Sequence, residues 1–600
     1  MSIKLSKTKI ESFCGDVLPI ELLSDADITK ADIRWYVIGE AASVRSFPAD
    51  APYSHTNKAL ITFLKPGIAK VVAELEGEKY ECEIFAREMR RADPYKKPQY
   101  FLGDFHDHTS EEHKFEAFAN KETDFPIDYI NTIKKENLFD FCVISDHADV
   151  TNNRDFFRGF TDVELAQPMD TIIFPGAESE VTVIEEDRYG LTHKNAGEIV
   201  TINSNNFAGV RCWQEFYDAF KDAPFGIMVL AHPHVVGWDK NGIWNFSLHK
   251  NNAPIFKKLL RGVEMGNGTM RSSNVLYEYY YSVALDNGFK VSSTCASDNH
   301  SKWSFDSFPG KTVIMAPEKS KEMFLDALLN RRFYACESGN VKLYYTVNGE
   351  PAAQTIVPTN KYSFHIECDY FNDDPTTVPV ECRVISDGGK TIKTIKDADF
   401  SSVDFEIESD TASYFYLRLL DSVGRKTWSA PVWTGREGTP TTPADDLVPI
   451  NKENFSVTDA ATGKDAALLI NDDPEMWWTS DDVTAEVVID MNNEYDVCAL
   501  GQYPPRILLK KLMAAEIPIV DKANEFAIEY RVSTSLDGKT FAEQASGIFR
   551  IFGGENFITF PMHKARYVKF EALSTAGKFS GRKEYADAKI SIGELTVFTK

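Results

Sequence analysis

Alternation of apolar and polar residues predicts β-strands at both ends of the chain, and strands alternating with helices between Tyr100 and about Ser338. In this central part, apolar strands such as FLGDF, FDFCVIS and GIMVLA are followed by helical segments such as PIDYINTIKKENL, WQEFYDAFKDA and NVLYEYYYSVALDNG. Repeated βα units predict a parallel sheet, and about seven of them over this length predict a (β/α)7 barrel. We therefore expect a barrel domain over residues 100–338.

The flanking regions read as β-domains. In residues 1–88, Trp35 and the pair Tyr80 and Cys82 resemble the strand C and strand F residues of an immunoglobulin-type sandwich. After Gly339 the helical pattern stops. The predicted domains are an Ig-like β-sandwich at 1–88, the barrel at 100–338, a second β-sandwich at 339–436 and a β-rich module at 450–600, which makes the chain multidomain.

Composition limits the function. Hydrophobic content of 43% and charged content of 26% are ordinary for a globular protein, but the net charge of −25 disfavours a nucleic-acid partner. No run of 18 apolar residues is present, so no membrane span is expected. Nine cysteines without a CxxC pair predict reduced, structural thiols. The start, MSIKLSKTKIESF, lacks the apolar core of a secretory signal, so we expect a cytoplasmic location, with export after signal removal as the alternative.

Histidines concentrate in the central region, where nine of the twelve lie within residues 106–300. Five residues in this region each lie where a predicted strand ends: His106, His147, Glu178, His232 and Asp298. Strand ends converge on one face of a βα barrel, so distant motifs are expected to share one pocket. The candidate metal ligands are His106, His108, His147, Glu178, His193, His232, Asp298 and His300, together with His113, which Glu111 or Glu112 could replace.

Imidazole and carboxylate ligands suit divalent Zn, Mn or Fe. A carboxylate such as Glu178 can bridge two cations through its two oxygens. Two or three close ions acidify a water and hold the oxygens of an in-line displacement. Such a site needs no Ser or Cys nucleophile, and no GxSxG motif is present in the chain.

The ordered motifs GDFHDHT, ISDH, PGAE, THKN, AHPH and ASDNH resemble the PHP (polymerase and histidinol phosphatase) superfamily of metal-dependent phosphoesterases. The resemblance covers roughly residues 100–338 and implies a distorted (β/α)7 barrel with two or three divalent metal ions. It implies one ion held by His106, His108, Glu178 and Asp298, a second by Glu178, His193 and His232, and a third by His113, His147 and His300.

Residues 465–600 resemble a discoidin-like, coagulation-factor C-type module of the galactose-binding jelly-roll kind. The matching segments are DDPEMWWTSD, AEVVIDMNN, YRVSTSLDGKTF, ARYVKFEAL and IGELTVF. This resemblance implies glycan recognition, sometimes with a structural Ca²⁺, or a module that only packs on the barrel. Trp477 and Trp478 are candidates for stacking a sugar or for the core.

The favoured hypothesis is a phosphoesterase that hydrolyses a phosphate ester, including one on a saccharide. Asp146 is the candidate partner of His147, and Arg154, Lys194 and Arg271 are candidate cations for phosphate oxygens. The alternative is a metal-dependent glycan-processing hydrolase or lyase. A nuclease and a binding protein that has lost catalysis are less favoured, the first because of the acidic charge and the second because every candidate ligand is present.

Overall fold

The structure is a computed structural model that describes residues 2–46, 55–108, 139–148, 170–186, 192–204, 213–220, 226–233, 258–268, 274–298, 310–438, 447–505, 524–549, 555–579 and 585–600. Its multidomain, mainly β architecture confirms that part of the prediction. No helix among these residues is long and apolar enough to cross a membrane. The eight cysteines within them are all buried and free of disulfides, as expected.

The N-terminal domain consists of two four-stranded sheets around one apolar core. Trp35 lies in this core with Cys82, and its indole N–H donates to the Thr56 carbonyl at 2.8 Å. One sheet has the order β1-β3-β6-β5 and the other β2-β8-β7-β4. The strands are β1 Ile3–Leu5, β2 Lys9–Phe13, β3 Val17–Ser24, β4 Ile33–Ile38, β5 Ala42–Ser46, β6 Lys58–Phe63, β7 Gly67–Leu75 and β8 Glu78–Arg87.

The central domain carries the candidate ligands on a strongly curved sheet. Its strands are β9 Gln99–Asp107, β10 Phe141–Ile144, β11 His147–Ala148, β12 Ile172–Glu186, β13 Thr192–Ile202, β14 Ile227–Leu230, β15 Leu260–Asn267, β16 Ser292–Ala296, β17 Lys311–Ala316 and β18 Phe333–Cys336. Its helices are α1 Trp213–Phe220, α2 Asn274–Asp286 and α3 Lys321–Leu329. Ser320 caps α3 by accepting from the Met323 N–H.

The order of this sheet is β16-β15-β14-β13-β12-β10-β9-β17-β18. β9, β10 and β12 are parallel, as are β14, β15 and β16, but β13 is antiparallel to both of its neighbours. A long β12–β13 hairpin thus interrupts the parallel sheet that was predicted, and the described residues do not show the predicted (β/α)7 barrel.

The end of β16, the first strand in this order, nevertheless contacts β9 and β17. The Asp298 N–H donates to the His106 carbonyl at 2.9 Å, and the Cys295 N–H donates to Thr312 Oγ1 at 2.9 Å. These bonds hold the end of β16 against β9 and β17. The curvature brings the ends of strands that are far apart in sequence to one place.

The third region continues the same sheet. β18 pairs with β26, and the order runs on through β25 and β22 to β23, giving fifteen strands in one hydrogen-bonded sheet. A second, four-stranded sheet has the order β20-β19-β21-β24. The strands are β19 Val341–Val347, β20 Glu350–Pro351, β21 Lys361–Tyr370, β22 Pro379–Ser386, β23 Lys390–Lys396, β24 Val403–Glu408, β25 Tyr414–Asp421, β26 Lys426–Trp428 and β27 Val432–Trp433.

The C-terminal β-domain has a seven-stranded sheet and a two-stranded sheet that share one apolar core. The order of the larger sheet is β28-β36-β31-β34-β32-β33, with β29 beside β31. The elements are β28 Val448–Pro449, β29 Ser456–Asp459, β30 Trp478–Thr479, β31 Ala485–Tyr503, β32 Ala527–Ser535, β33 Ala542–Ile548, β34 Asn556–Thr575, α4 Ala576–Phe579, β35 Ser591–Ile592 and β36 Glu594–Thr599.

Two ion-pair clusters join the central domain to its neighbours. Glu322 of α3 accepts from Arg87 Nη2 at 3.0 Å and from Arg90 Nε at 2.6 Å, which ties the N-terminal domain to α3. Glu278 of α2 accepts from Arg418 Nη1 at 2.7 Å, and both of these side chains are buried. Each buried charge is therefore matched across a domain boundary.

Candidate metal centre

Glu178 on β12 lies at the centre of a buried group of histidines. Its Oε1 is 3.0 Å from His232 Nε2 and 3.1 Å from His106 Nε2, and its Oε2 is 3.2 Å from His147 Nδ1 and 3.5 Å from His108 Nε2. The carboxylate is 1% exposed. One acid thus faces four imidazoles, two from the end of β9, one from β11 and one from the end of β14.

Asp298 supplies the second central carboxylate, directly after β16. Its Oδ1 is 3.3 Å from His108 Nε2 and 3.5 Å from His106 Nε2, and its Oδ2 accepts from Asn267 Nδ2 at 3.1 Å. Asp298 has a φ of 50° and His232 a φ of 21°, both in the left-handed region that residues other than glycine rarely adopt. Such strained backbone clusters at functional sites, where the surrounding structure stabilises it.

Opposite charges at this centre shift one another's pKa values. Burial lowers the pKa of His106, but Glu178 and Asp298 outweigh it and raise that pKa well above the usual range. The pKa of His232 rises to about 10 because its bond to Glu178 and the nearby acids outweigh burial. Conversely, burial is outweighed by the imidazoles at Glu178 and Asp298, whose pKa values are lowered. The imidazoles and carboxylates thus favour one another's charged forms.

Glu264 on β15 holds the His106 imidazole and the His232 backbone from behind. Its Oε1 is 3.3 Å from His106 Nδ1, and its Oε2 accepts from the His232 N–H at 2.6 Å and from Asn267 Nδ2 at 3.1 Å. A carboxylate on the far ring nitrogen fixes the tautomer of a ligating histidine and turns the other nitrogen inward. The sequence analysis missed Glu264, although an acid inside the apolar segment GVEMGN was a usable signal.

Glu198 on β13 reaches the same centre from its outer side. Its Oε2 is 3.3 Å from His232 Nε2, and its Oε1 is 3.9 Å from His147 Nδ1. Burial, followed by the charge of Glu178, raises the pKa of Glu198 to about 7. The sequence analysis missed this residue too, because nothing in NAGEIVTI distinguishes it from a surface acid.

Of the other predicted site residues, the structure describes Asp146 and the backbones of His193 and Lys194. Asp146 is buried, and its carbonyl accepts from the Glu178 N–H at 3.2 Å. The backbone of His193 pairs with Glu185 and that of Lys194 with Ile184, while Glu178 pairs with Val200. His193 therefore lies seven residues along β13 from the Glu178 pair, roughly 20 Å at the strand rise per residue. The side chains of His193 and Lys194, and all of His113, His300, Arg154 and Arg271, lie outside the described residues.

The residues present fit a metal ion. Three groups have ligand atoms within 4.8 Å of one another, all at this centre: His106, His232 and Asp298; His106, His108 and Glu178; and His147, Glu178 and Glu198. Among the described residues, neither His106 Nε2 nor Glu178 Oε2 takes part in a hydrogen bond, although both atoms are buried. Buried polar atoms are normally satisfied, so this nitrogen and oxygen set is chemically suited to a divalent cation.

In the C-terminal β-domain the buried acid Glu594 faces a lysine rather than histidines. Lys452 Nζ lies 2.5 Å from Glu594 Oε1 and 2.7 Å from Asp472 Oδ1, and the Glu594 side chain is 0% exposed. None of the three candidate metal groups among the described residues includes an acid of this domain. The Ca²⁺ expected there stays a prediction. Trp477 and Trp478 are half-buried, and Trp478 packs against the core.

Comparison with known proteins adds the following. No protein-family model matches the chain, and no curated protein matches it. Solved structures similar to the C-terminal β-domain are carbohydrate-binding modules from glycoside hydrolases. The PHP resemblance of the central region stays a hypothesis.

Three of these structures cover about a quarter of the chain at low identity. The Clostridium perfringens module CpGH89CBM32-5, in complex with GalNAc-β-1,3-galactose, is 18% identical over 26% of this chain and 100% of its own, with a TM-score of 0.20. The family 32 module of Clostridium perfringens NanJ, in complex with galactose, is 16% identical over 26% and 98%, with a TM-score of 0.19. The C-terminal domain of a Bacteroides fragilis chitobiase is 19% identical over 25% and 98%, with a TM-score of 0.18.

Proposed function

We propose that this protein is a metal-dependent hydrolase that cleaves a phosphate ester at the centre around Glu178. The observation that supports this most directly is the placement of one buried carboxylate between four imidazoles, beside a second carboxylate, Asp298. His106, His108, His232, Glu178 and Asp298 would hold the cations. When bound, divalent ions lower the pKa of a water and neutralise charge on the oxygens of the substrate.

The protein side chains of the centre supply orientation and charge. Glu264 holds His106 through Nδ1, so that Nε2 faces Glu178 and Asp298. Asn267 holds Asp298 through Oδ2, which leaves Oδ1 facing His106 and His108. Because these contacts are buried, the ligands are fixed before a substrate arrives, which lowers the cost of reorganisation in the reaction.

The test is hydrolysis of an aryl phosphate by the metal-loaded protein. We expect His108→Ala and chelation each to reduce turnover by at least ~100-fold, the scale on which loss of metal ligation acts. His365→Ala is the matched control, because His365 is a partly exposed histidine on β21 whose ring lies beside Glu367 and Asp404, far along the chain from the candidate ligands. Undiminished turnover in His108→Ala would contradict the proposal.

A glycan-processing hydrolase or lyase is the second candidate. Two of the modules similar to the C-terminal β-domain were solved with galactose or GalNAc-β-1,3-galactose, and these sugars provide the unphosphorylated probes. Phosphorylated and unphosphorylated forms of the same saccharides separate the two candidates. Turnover of only the phosphorylated forms favours the phosphoesterase, and cleavage of the unphosphorylated ones favours the glycan enzyme.

A further inference from the structure

β13 fixes Glu198 beside the metal centre. The Glu198 carbonyl accepts from the Ala231 N–H at 3.1 Å, and Ala231 directly precedes His232. Glu198 also pairs in register with Glu180, two residues beyond Glu178 on β12. The Glu198 backbone is thus bound on both sides by strands that lead to candidate ligands, which places its Cα beside the centre.

A second observation concerns the ligand atoms of His147, Glu178 and Glu198. Glu178 Oε2 is buried, takes part in no hydrogen bond among the described residues, and lies 3.2 Å from His147 Nδ1. His147 Nδ1 is in turn 3.9 Å from Glu198 Oε1. Two ligand atoms at tetrahedral angles, each about 2.1 Å from one ion, are about 3.4 Å apart. The observed separations bracket that value.

We propose that Glu198 is a metal ligand, and that His147, Glu178 and Glu198 form an outer cation site next to the inner, histidine-rich one. This inference rests on the proposed function in that both require the centre to bind metal. Two carboxylates with one imidazole favour oxygen-preferring ions such as Mn²⁺, whereas the inner histidines favour ions such as Zn²⁺. Glu178 is shared, so it would bridge the two sites.

The two sites differ in their access to solvent. The side chains of His147 and Glu198 are 23% and 20% exposed, whereas those of His106 and Glu178 are 1% exposed. A cation at the outer site therefore exchanges more readily, and a chelator removes it first. The outer site is also the one that an incoming substrate meets.

The experiment measures metal stoichiometry and affinity rather than turnover. Metal-free protein is titrated with Mn²⁺ by calorimetry and by the electron paramagnetic resonance signal of free Mn²⁺, and bound metal is counted after dialysis. Glu198→Gln keeps the shape and removes the charge. We expect it to retain one ion fewer than the wild-type protein, or to bind the weakest ion at least ~10-fold less tightly.

Two further variants keep the result interpretable. Glu78→Gln, an exposed acid on β8, is the matched control and should bind as the wild-type protein does. Glu198→Asp keeps the charge on a shorter side chain and should recover part of the lost affinity, which a merely structural role would not predict. Circular dichroism checks the fold of each variant, and Glu198→Asp carries the test if Glu198→Gln does not fold.

The outcomes separate the two proposals. Wild-type stoichiometry and affinity in Glu198→Gln overturn the role of Glu198 and leave the proposed function standing. A wild-type protein that binds no divalent metal overturns both. Loss of the weakest ion in Glu198→Gln, in a protein that hydrolyses none of the substrates, supports the outer site and contradicts the proposed function.

Discussion

Two regions of this molecule bury a carboxylate almost completely, and they neutralise it in opposite ways. In the central domain Glu178 is surrounded by four imidazoles, which can give up a proton and ligate a cation. In the C-terminal β-domain Glu594 is paired with the ammonium of Lys452, a group that donates hydrogen bonds and has no acceptor atom. The comparison teaches that burial of an acid does not identify a metal site, because the chemistry of the groups around it decides.

The largest expected effect is the loss of stability of the C-terminal β-domain when Lys452 is replaced. Lys452→Met removes the ammonium that faces the buried Glu594 carboxylate, so we expect a loss of about 3–5 kcal/mol in the free energy of unfolding. Denaturant titration of the C-terminal β-domain within the full chain measures it. The double variant Lys452→Met with Glu594→Gln should recover most of the loss, and a double variant as unstable as the single one would refute the explanation.

Removing metal should lower the stability of the central domain and leave that of the C-terminal β-domain unchanged. A ligand present at 100 times its Kd stabilises the folded state by about 2.7 kcal/mol, and chelation removes that contribution. Calorimetry with and without chelator should therefore show a lower unfolding temperature for the transition of the central domain. The transition that Lys452→Met shifts should not respond, and an equal response of both transitions would contradict the contrast.

Glu322 sharpens the comparison because it is a buried acid held by two arginines. Burial raises its pKa, but the bonds from Arg87 and Arg90 outweigh this and lower the pKa to about 2. Since the folded pKa lies below the ordinary value of 4.5, the stabilisation is complete above that value and is lost as the pH falls from about 4.5 to about 2.

We expect Glu322→Gln to cost about 2 kcal/mol at pH 7 and to flatten the pH dependence of stability in that acid window. Denaturant titrations of the wild-type and variant chains at several pH values measure both effects. An unchanged slope of stability against pH in the variant would show that Glu322 is not the titrating group.

The smallest effect is expected at an exposed ion pair. Lys464 lies 2.8 Å from Asp481, but the two side chains are 70% and 65% exposed. Lys464→Met should leave the free energy of unfolding unchanged within the error of a denaturant titration, because water screens the pair. It is the control for Lys452→Met in the same domain, and a loss of similar size in both would mean that burial is not the cause.

The sequence predicted the components of the metal centre better than the sheet that holds them. The motifs around His106, Glu178 and Asp298 each follow an apolar strand, and local patterns of this kind can be read from the chain. The direction of β13 could not be read, because alternation predicts a strand but not its partner. The strand was therefore expected to lie in a parallel sheet, whereas it forms an antiparallel hairpin with β12.

Glu198 and Glu264 were missed for the same physical reason. Each is one acid within an ordinary strand, and its role arises from contacts with His147, His232 and His106, which are distant in sequence. Contacts of this kind depend on how the sheet curls. A single sequence shows the residue type of a ligand, but it shows the partners only where they are neighbours along the chain.

The hydrogen bonds between β18 and β26 have a practical consequence for anyone who wishes to study the central domain by itself. Cutting the chain after Ser338 would strip the partner strand from Phe333–Cys336 and expose an unpaired edge. It would also leave Glu278 without Arg418 in an apolar setting. A fragment that ends there is expected to aggregate, whereas one that extends to residue 438 keeps the sheet edge covered and the acid neutralised.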